Sequence, residues 1–143
     1  MKLLIKNESK NELPVYAHPG DSGFDLRANV ARTVVIPPGR RAVIPTGIKV
    51  RIPEGYELQV RPRSGLAFKK GILGYWGTID STFFDEICIL LFNFSDENFT
   101  VECGDRVAQA VLAKVEHAEI EETKEDITGP NDRGGGFGST GIK

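Results

Sequence analysis

The sequence predicts an all-β protein, a distorted jelly-roll or β-sandwich subunit with one short helix. Apolar and polar residues alternate in short runs such as 48–52 and 56–60, which is the period of a half-buried strand. Turn-forming residues interrupt these runs about every 8 to 12 residues, a spacing typical of sandwiches, barrels and jelly rolls. Helical periodicity is nearly absent, so a helical or α/β fold is not expected.

Two elements depart from the simple alternation. The run Ile87–Phe92 is apolar on both faces, so a strand there needs cover on both sides. In a small sandwich, one of those covers could be another subunit. The one helix candidate is Ser64–Lys69, with Ser64 in a position suited to an N-cap.

The composition changes near the C-terminus. A charged stretch, 116–126, precedes a glycine-rich segment, 129–136, which cannot pack a core by itself. We therefore expect one β domain over residues 1–128 and a flexible glycine-rich C-terminal arm over residues 129–143.

Charge and cysteine content argue against several classes of protein. A net charge of −2 argues against nucleic-acid binding through a broad basic face. The longest apolar run is far shorter than the ~20 residues that span a bilayer, so no membrane association is expected. Cys88 and Cys103 lack the spacing of a zinc or redox pair, and we expect free thiols in a reducing cytoplasm.

Two clusters in the first half of the chain contain residues suited to a metal-bound phosphate chain. Asp25 lies where a loop enters a strand; it is either a turn or cap residue or a carboxylate that meets Mg2+ through water. Arg63, Ser64 and Gly65 would aim a guanidinium, a hydroxyl and a backbone N–H at one point, which describes an anion site. A capped surface helix with a solvated arginine is the alternative.

Two further clusters lie in strand-like segments. Asp80 follows Gly77-Thr78-Ile79 in an apolar context, where it could orient a water molecule or serve as an ordinary turn residue. Gln109 is an amide in an otherwise apolar segment that begins at Gly104. Phosphate oxygens would satisfy its hydrogen bonds, as would neighbours in a core.

The fifth cluster is the glycine-rich stretch from Arg133 to Gly141. The stretch is not a Walker A loop, because it does not end in Gly-Lys-Ser/Thr. It contains enough glycine to wrap closely around a phosphate. A flexible tail without function is the alternative. Phe137 favours a binding role, since an aromatic ring can stack on a base.

The five clusters, in this order from Asp21 to Gly141, resemble the five motifs of the trimeric dUTPase family. The matching stretches are Arg63-Ser64-Gly65-Leu66-Ala67, Lys70-Gly71-Ile72, Gly77-Thr78-Ile79-Asp80, Arg106-Val107-Ala108-Gln109 and Gly136-Phe137-Gly138-Ser139-Thr140-Gly141. The resemblance implies a jelly-roll homotrimer whose active sites are each built from all three chains and closed by a swapped C-terminal arm. It also implies Mg2+-assisted hydrolysis of dUTP to dUMP and pyrophosphate, which limits uracil incorporation into DNA.

The resemblance also implies roles for individual residues. Asp80 would orient the water that attacks the α-phosphorus, and Asp25 would contact the hydration shell of Mg2+. The residues implied to bind substrate are Arg63, Ser64, Gly65, Thr78, Ile79, Phe83, Gln109, Arg133, Phe137, Gly138, Ser139 and Thr140. Among them, Phe83 would lie under the deoxyribose and Phe137 over uracil. The main chain of a β-hairpin around 72–83 would read the base.

Three departures from the family pattern stand out. The stretch Leu73–Trp76 is shorter than usual and lacks an expected Asn where uracil would be read. Asp85 stands where the family has a Gly with positive φ, a conformation that Asp tolerates better than most residues. Arg133 lies closer to Phe137 than in the usual pattern, which affects its expected phosphate contact.

Two alternative functions remain open at this point. A dCTP deaminase-like enzyme would share the fold, but the Arg-Ser-Gly-Leu-Ala and Gly-Thr-Ile-Asp sequences are the dUTPase forms. A catalytically weakened nucleotide-binding or regulatory trimer would fit the altered stretch before Gly77. The presence of Asp25, Asp80 and Gln109 argues against it.

Overall fold

The described part of this computed structural model, residues 1–132, 134 and 135, is built almost entirely of β-strands. It contains eleven strands and one short helix. The strands are β1 (Leu4–Asn7), β2 (Phe24–Arg27), β3 (Val34–Ile36), β4 (Arg41–Pro45), β5 (Ile48–Arg51), β6 (Tyr56–Arg61), β7 (Ile72–Gly74), β8 (Gly77–Ile79), β9 (Cys88–Asn93), β10 (Phe99–Val101) and β11 (Arg106–Lys114). The helix α1 (Ser64–Lys70) lies between β6 and β7. The predicted fold class is confirmed.

The strands form four antiparallel sheets. The largest has the order β2-β11-β6-β8, a second has the order β4-β9-β7, and β1-β5 and β10-β3 form two-stranded pairs. The core contains fully buried side chains from both larger sheets, including Leu26 and Leu58 from the first and Ile44, Ile89 and Leu91 from the second. The burial of these apolar side chains away from water is the main driving force of folding.

Strand β6 shows how the predicted alternation determines the fold. Leu58 and Val60 are buried, whereas Glu57, Gln59 and Arg61 lie on the opposite, partly exposed face. Because successive side chains of a strand point to opposite sides, the polar residues share the outer face of the four-stranded sheet. This face carries the candidate site described below.

Within a single chain, only one of the two faces of strand β9 is fully buried. Ile89 and Leu91 are buried, Leu90 and Phe92 are half-buried, and Cys88 is exposed. Burial, and secondarily the charge of Glu86, raises the pKa of the Cys88 thiol. Cover of the outer face by another subunit stays a prediction.

The start of α1 differs from the expected cap. Arg63, not Ser64, occupies the N-cap position, and no side chain caps the helix. Arg63 has an extended backbone (φ −94°, ψ 125°) and its side chain reaches Asp25. Ser64 is the first helical residue, so its hydroxyl is not used as a cap. Gly71 ends the helix in the left-handed conformation at φ 65°, which glycine adopts without strain.

The expected hairpin around residues 72–83 is not a pair of bonded strands. β7 pairs with β9 in one sheet, and β8 pairs with β6 in another. The N–H of Tyr75 donates to Leu90 O at 2.8 Å, while Gly77 lies opposite Val60. A Cβ at Gly77 would lie 3.3 Å from the Cβ of Val60, so glycine permits this close approach.

Two other expectations concern turns and the C-terminal part. In the described residues every positive φ belongs to a glycine, so Asp85 does not adopt the conformation expected of the family's glycine. Residues 116–132 are exposed and contain no helix or strand. The predicted boundary between 128 and 129 stays a prediction. No helix among the described residues is long and apolar enough to cross a membrane.

Candidate active site

A row of polar side chains crosses three strands of the four-stranded sheet. Asp25 of β2 lies opposite Gln109 of β11, which lies opposite Arg61 of β6. Residues directly opposite in antiparallel strands have their side chains on the same face. The row therefore places a carboxylate, an amide and a guanidinium side by side on the outer face.

A bulge in β11 adds Arg106 to this face. The register against β2 shifts between Arg106 and Ala108, with Arg106 opposite Arg27 and Ala108 opposite Leu26. In a regular strand, residues 106 and 109 would point to opposite faces. The extra residue, the buried Val107, reverses that parity, as bulges do when they re-aim a side chain.

The carboxylate of Asp25 lies between two guanidinium groups. Arg63 Nε is 3.1 Å from Asp25 Oδ1, and Arg106 Nε is 3.6 Å from Oδ2. Arg63 Nη1 also donates to the carbonyl oxygen of Arg106 at 3.0 Å. These contacts fix the position of Arg63 while leaving Nη2 without a protein partner in the described residues.

An open cavity of about 300 Å³ lies beside this charged group. Residues 17 and 21–24 line it together with five predicted site residues: Asp25, Arg63, Ser64, Gly65 and Gln109. Gln109 Nε2 donates one bond to Pro62 O at 3.0 Å, and an amide group has further donor and acceptor capacity for a ligand. Gly65 is exposed, and no heavy atom of the described residues lies within 4 Å of an added Cβ, so there is room for a ligand beside it.

Asp80 and its neighbours lie elsewhere in the same chain. Asp80 directly follows β8, is exposed, and makes no side-chain hydrogen bond or ion pair within the described residues. Ile79 pairs with Leu58, so the next residue, Asp80, lies level with Glu57. Glu57 and Arg61 are four residues apart along β6, which places Asp80 about 13 Å from Arg61. Thr78, Ile79, Asp80 and Phe83 are absent from the lining of the 300 Å³ cavity.

Comparison with known proteins gives the family. The sequence profile of the dUTPase family matches residues 9–141. The chain belongs to the dUTPase family. It is 50% identical over 143 residues to the deoxyuridine 5'-triphosphate nucleotidohydrolase of Chlamydia muridarum, covering 99% of each chain. It is 52% identical over 134 residues to the enzyme of the same name from Brucella melitensis biotype 2, covering 91% of this chain and 85% of that one.

Solved dUTPase structures have the same fold. The Staphylococcus bacteriophage 80alpha dUTPase with dUPNHPP has a TM-score of 0.88 at 28% identity, covering 99% of both chains. A mutant dUTPase of phage phi11 of S. aureus, described with a structural Mg(II) ion, has a TM-score of 0.80 at 26% identity. That comparison covers 87% of this chain and 98% of the phage chain. The predicted family and fold are thereby confirmed.

The structure leaves part of the expected dUTPase site undescribed. Arg133, Phe137, Gly138, Ser139 and Thr140 lie outside the described residues. Their roles in the family pattern stay predictions.

Two arginines at the site had no role assigned from the sequence. Arg106 contacts Asp25, and Arg61 lies beside Gln109. Arg106 begins a stretch that matches the family pattern, and Arg61 lies two residues before the Arg63 cluster, so position in the sequence was the only signal for either residue. Their contacts depend on strand register and on the bulge, neither of which is visible in a local pattern.

Proposed function

We propose that this protein hydrolyses dUTP to dUMP and pyrophosphate by attack of water on the α-phosphorus. This activity would limit uracil incorporation into DNA and supply dUMP. The observation that carries the proposal is the meeting of Asp25, Arg63, Ser64, Gly65 and Gln109 around one cavity in a chain of the dUTPase family. We place the activity in the cytoplasm, in keeping with the free thiols of Cys88 and Cys103.

The cavity supplies groups suited to a triphosphate. Arg63 would offer its Nη2, which has no partner among the described residues, and Ser64 its hydroxyl, which does not cap the helix. Gly65 would offer its exposed main-chain N–H, and Gln109 the remaining capacity of its amide. Charge-assisted hydrogen bonds of this kind are shorter and stronger than neutral ones. Together they would hold the phosphate chain in one orientation, which is itself a large part of catalysis.

Asp80 would position the attacking water. Its carboxylate is exposed and has no protein partner in the described residues, so it is available to accept a proton from water. Asp25 differs, because two guanidinium groups already engage it. The two carboxylates therefore suit different tasks.

The residues present fit a Mg2+ ion that arrives with the substrate. No cluster of three His, Cys, Asp or Glu side chains that could hold a metal exists in the part of the chain that the structure describes. Mg2+ needs only one or two carboxylates when phosphates and waters complete its shell. Asp25, which lines the cavity, would contact the ion through water. When bound, the ion neutralises charge on the phosphates.

The nucleoside and the outer phosphates would meet the remaining predicted residues. Main-chain groups of Thr78 and Ile79 would contact the base, and Phe83 would lie under the deoxyribose. Phe137 and Gly138 would cover the base, while Arg133, Ser139 and Thr140 would contact the outer phosphates.

We further propose a homotrimer whose sites are shared between chains. Asp80 lies about 13 Å along the sheet from Arg61 and outside the phosphate cavity of its own chain. A neighbouring chain could bring its own Asp80 to that cavity. The exposed apolar side chains of Val43 and Leu73, which flank β9 on its outer face, offer a surface for such contact.

The decisive experiment measures pyrophosphate release from dUTP, dCTP, dTTP and UTP, with and without Mg2+, and ammonia release from dCTP. We expect pyrophosphate from dUTP alone, and only with Mg2+. UTP should be a poor substrate, since an unpaired 2′-hydroxyl against Phe83 costs about 1 to 3 kcal/mol. Ammonia from dCTP would identify a deaminase, and binding of dUTP without turnover would identify a regulatory nucleotide-binding protein.

A further inference from the structure

A second open cavity, of about 480 Å³, lies next to the candidate active site and shares Arg63 with the 300 Å³ cavity. Asp105 is the one carboxylate among its described lining residues. The cationic residues that line it are Arg27, Arg63, Lys70 and Arg106. The whole chain has a net charge of −2, so this concentration of positive charge is a local feature. We name it the basic cavity.

Strand pairing holds two of these cations directly opposite each other. Arg27 of β2 is the partner of Arg106 in β11, and like charges directly opposite in neighbouring strands destabilise a sheet. Arg27 Nη1 donates to Gly104 O at 2.8 Å, so a neutral acceptor holds the guanidinium in place. Within the described residues, no carboxylate oxygen lies within 4.0 Å of the Arg27 nitrogens. The fold therefore keeps a repulsive pair that a bound anion would relieve.

The nearby carboxylates do not balance this charge. Asp25 contacts both Arg63 and Arg106, so one negative charge serves two guanidinium groups. Asp105 Oδ2 accepts a hydrogen bond from the N–H of Glu102 at 2.8 Å, in the turn before β11. The basic cavity therefore keeps an excess of positive charge when both aspartates are counted.

Lys70 brings positive charge to the cavity from the helix. It is the last residue of α1, it is exposed, and in the described part of the chain no carboxylate oxygen lies within 4.0 Å of its Nζ. A lysine in the last turn of a helix interacts favourably with the helix dipole, but this explanation applies equally to Lys69. Of the two lysines, only Lys70 lines the cavity.

We propose that the basic cavity is a second anion site, which binds a small inorganic phosphate anion, and that pyrophosphate is its occupant. The choice of pyrophosphate rests on the proposed function, which releases it. An anion there would reduce the repulsion between Arg27 and Arg106 and accept charge-assisted hydrogen bonds from guanidinium and ammonium groups. Because Arg63 lines both cavities, pyrophosphate that leaves the 300 Å³ cavity meets the second site at once.

Calorimetry of the full chain tests the site. The protein is saturated with dUPNHPP, which fills the 300 Å³ cavity, and is then titrated with pyrophosphate or with phosphate at a fixed concentration of free Mg2+. We expect pyrophosphate to bind once per chain and more tightly than phosphate. If neither anion binds the saturated protein, the second site does not exist. Binding of phosphate as tight as that of pyrophosphate would overturn the choice of occupant.

A pair of charge reversals on the helix locates the site. Lys70→Glu should weaken pyrophosphate binding to the saturated protein by at least about 10-fold, because it replaces a donor with a like charge. Lys69→Glu is the matched control, since it is also exposed, makes the same change in net charge and does not line the cavity. It should keep the affinity within about twofold. Equal losses in the two variants would show that only net charge matters, against the proposal.

Failure of this inference can be told from failure of the proposed function. If dUTP is hydrolysed but the saturated protein binds no pyrophosphate, this inference alone fails. If the unmodified protein neither hydrolyses dUTP nor binds dUPNHPP, the proposed function fails, and pyrophosphate is titrated into the free chain. Lys70→Glu should then weaken its binding while Gln109→Ala, which changes only the 300 Å³ cavity, should not. The reverse result would overturn the second site.

Discussion

The two aspartates predicted to act in catalysis, Asp25 and Asp80, have different surroundings, and this difference determines what each can do. Asp25 is paired with Arg63 and Arg106, and its side chain is 29% exposed. Ion pairs this accessible contribute at most about 1 kcal/mol to stability, so the arrangement orients groups for a ligand more than it stabilises the fold. Within the part of the chain that the structure describes, Asp80 has no such partner, and it is exposed.

We expect Asp80→Asn to abolish turnover while leaving the fold and nucleotide binding intact. A positioned base typically supplies about 10²- to 10⁴-fold in rate, or about 3 to 5 kcal/mol of barrier, and the amide is nearly isosteric. Stopped-flow assays give kcat, and dUPNHPP binding gives affinity. Asp85→Asn, an exposed change nearby, is the control and should retain full activity. Retention of most of kcat in Asp80→Asn would remove Asp80 from catalysis.

Among the elements, the loop before β2 is packed tightly against β11. A Cβ at Gly23 would lie 2.8 Å from the carbonyl oxygen of Ala110 and 2.9 Å from Val111 Cγ2. The loop therefore approaches the strand as closely as only glycine allows. Asp25 follows two residues later, so the packing at Gly23 also positions the carboxylate in the cavity.

Gly23→Ala should lower the free energy of unfolding by about 1 to 3 kcal/mol, because an added methyl group must displace the backbone of β11 or of its own loop. It should also raise KM for dUTP through the displaced Asp25. Urea unfolding at fixed protein concentration measures the first effect. Gly129→Ala is the control, since nothing lies within 4 Å of its added Cβ. Equal stability of the two variants would contradict the packing argument.

The C-terminal arm can be separated from the β domain by truncation after Asp132. A segment as rich in glycine as 133–143 buries little, so the melting temperature should change by only a few degrees. If the arm closes over the nucleotide, kcat/KM for dUTP should fall by at least about 10²-fold, or 2.7 kcal/mol. Removal of only Ile142 and Lys143 is the control. An unchanged rate after the longer truncation would exclude the arm from the site.

At the scale of the whole molecule, Asp80 is separated from the 300 Å³ cavity that Asp25, Arg63 and Gln109 line. The cavity residues converge at one end of the outer face, and Asp80 lies at the other end of β8. A site that needs both groups is most simply completed by a second chain. Symmetric oligomers build such shared sites because each interface repeats around the axis.

Subunit mixing tests the shared site. Asp80→Asn and Arg63→Ala should each be inactive alone. When the two variants are refolded together in equal amounts, about a quarter of the unmodified activity should return. Each interface of the ring has about a one-in-four chance of joining a chain with an intact Asp80 to a neighbour with an intact Arg63. Light scattering checks that the mixture is trimeric, and mixing either variant with itself is the control. No recovery in a trimeric mixture would place the whole site within one chain.

Local pattern was sufficient to predict the fold class, several strands, the short helix and the residues of the cavity. The alternation in β6 and the motifs around Asp25, Arg63 and Gln109 are properties of neighbouring residues, which a sequence displays directly. The prediction of Ser64 as the N-cap was wrong: the helix already begins at Ser64, and Arg63 occupies the cap position without a side-chain hydrogen bond.

Only the tertiary structure decided how these pieces meet. Three features depend on strand pairing: the bulge that turns Arg106 toward Asp25, the assignment of β7 and β8 to different sheets, and the position of the Arg61 guanidinium over the ring of Trp76. Pairing joins residues far apart in the chain, as Asp25 and Gln109 show, and a shift of one residue in register reverses which face a side chain occupies. The sequence by itself therefore determined the fold class and the motifs that contain Asp25, Arg63 and Gln109, whereas the packing of the sheets brought these residues together and added Arg61 and Arg106.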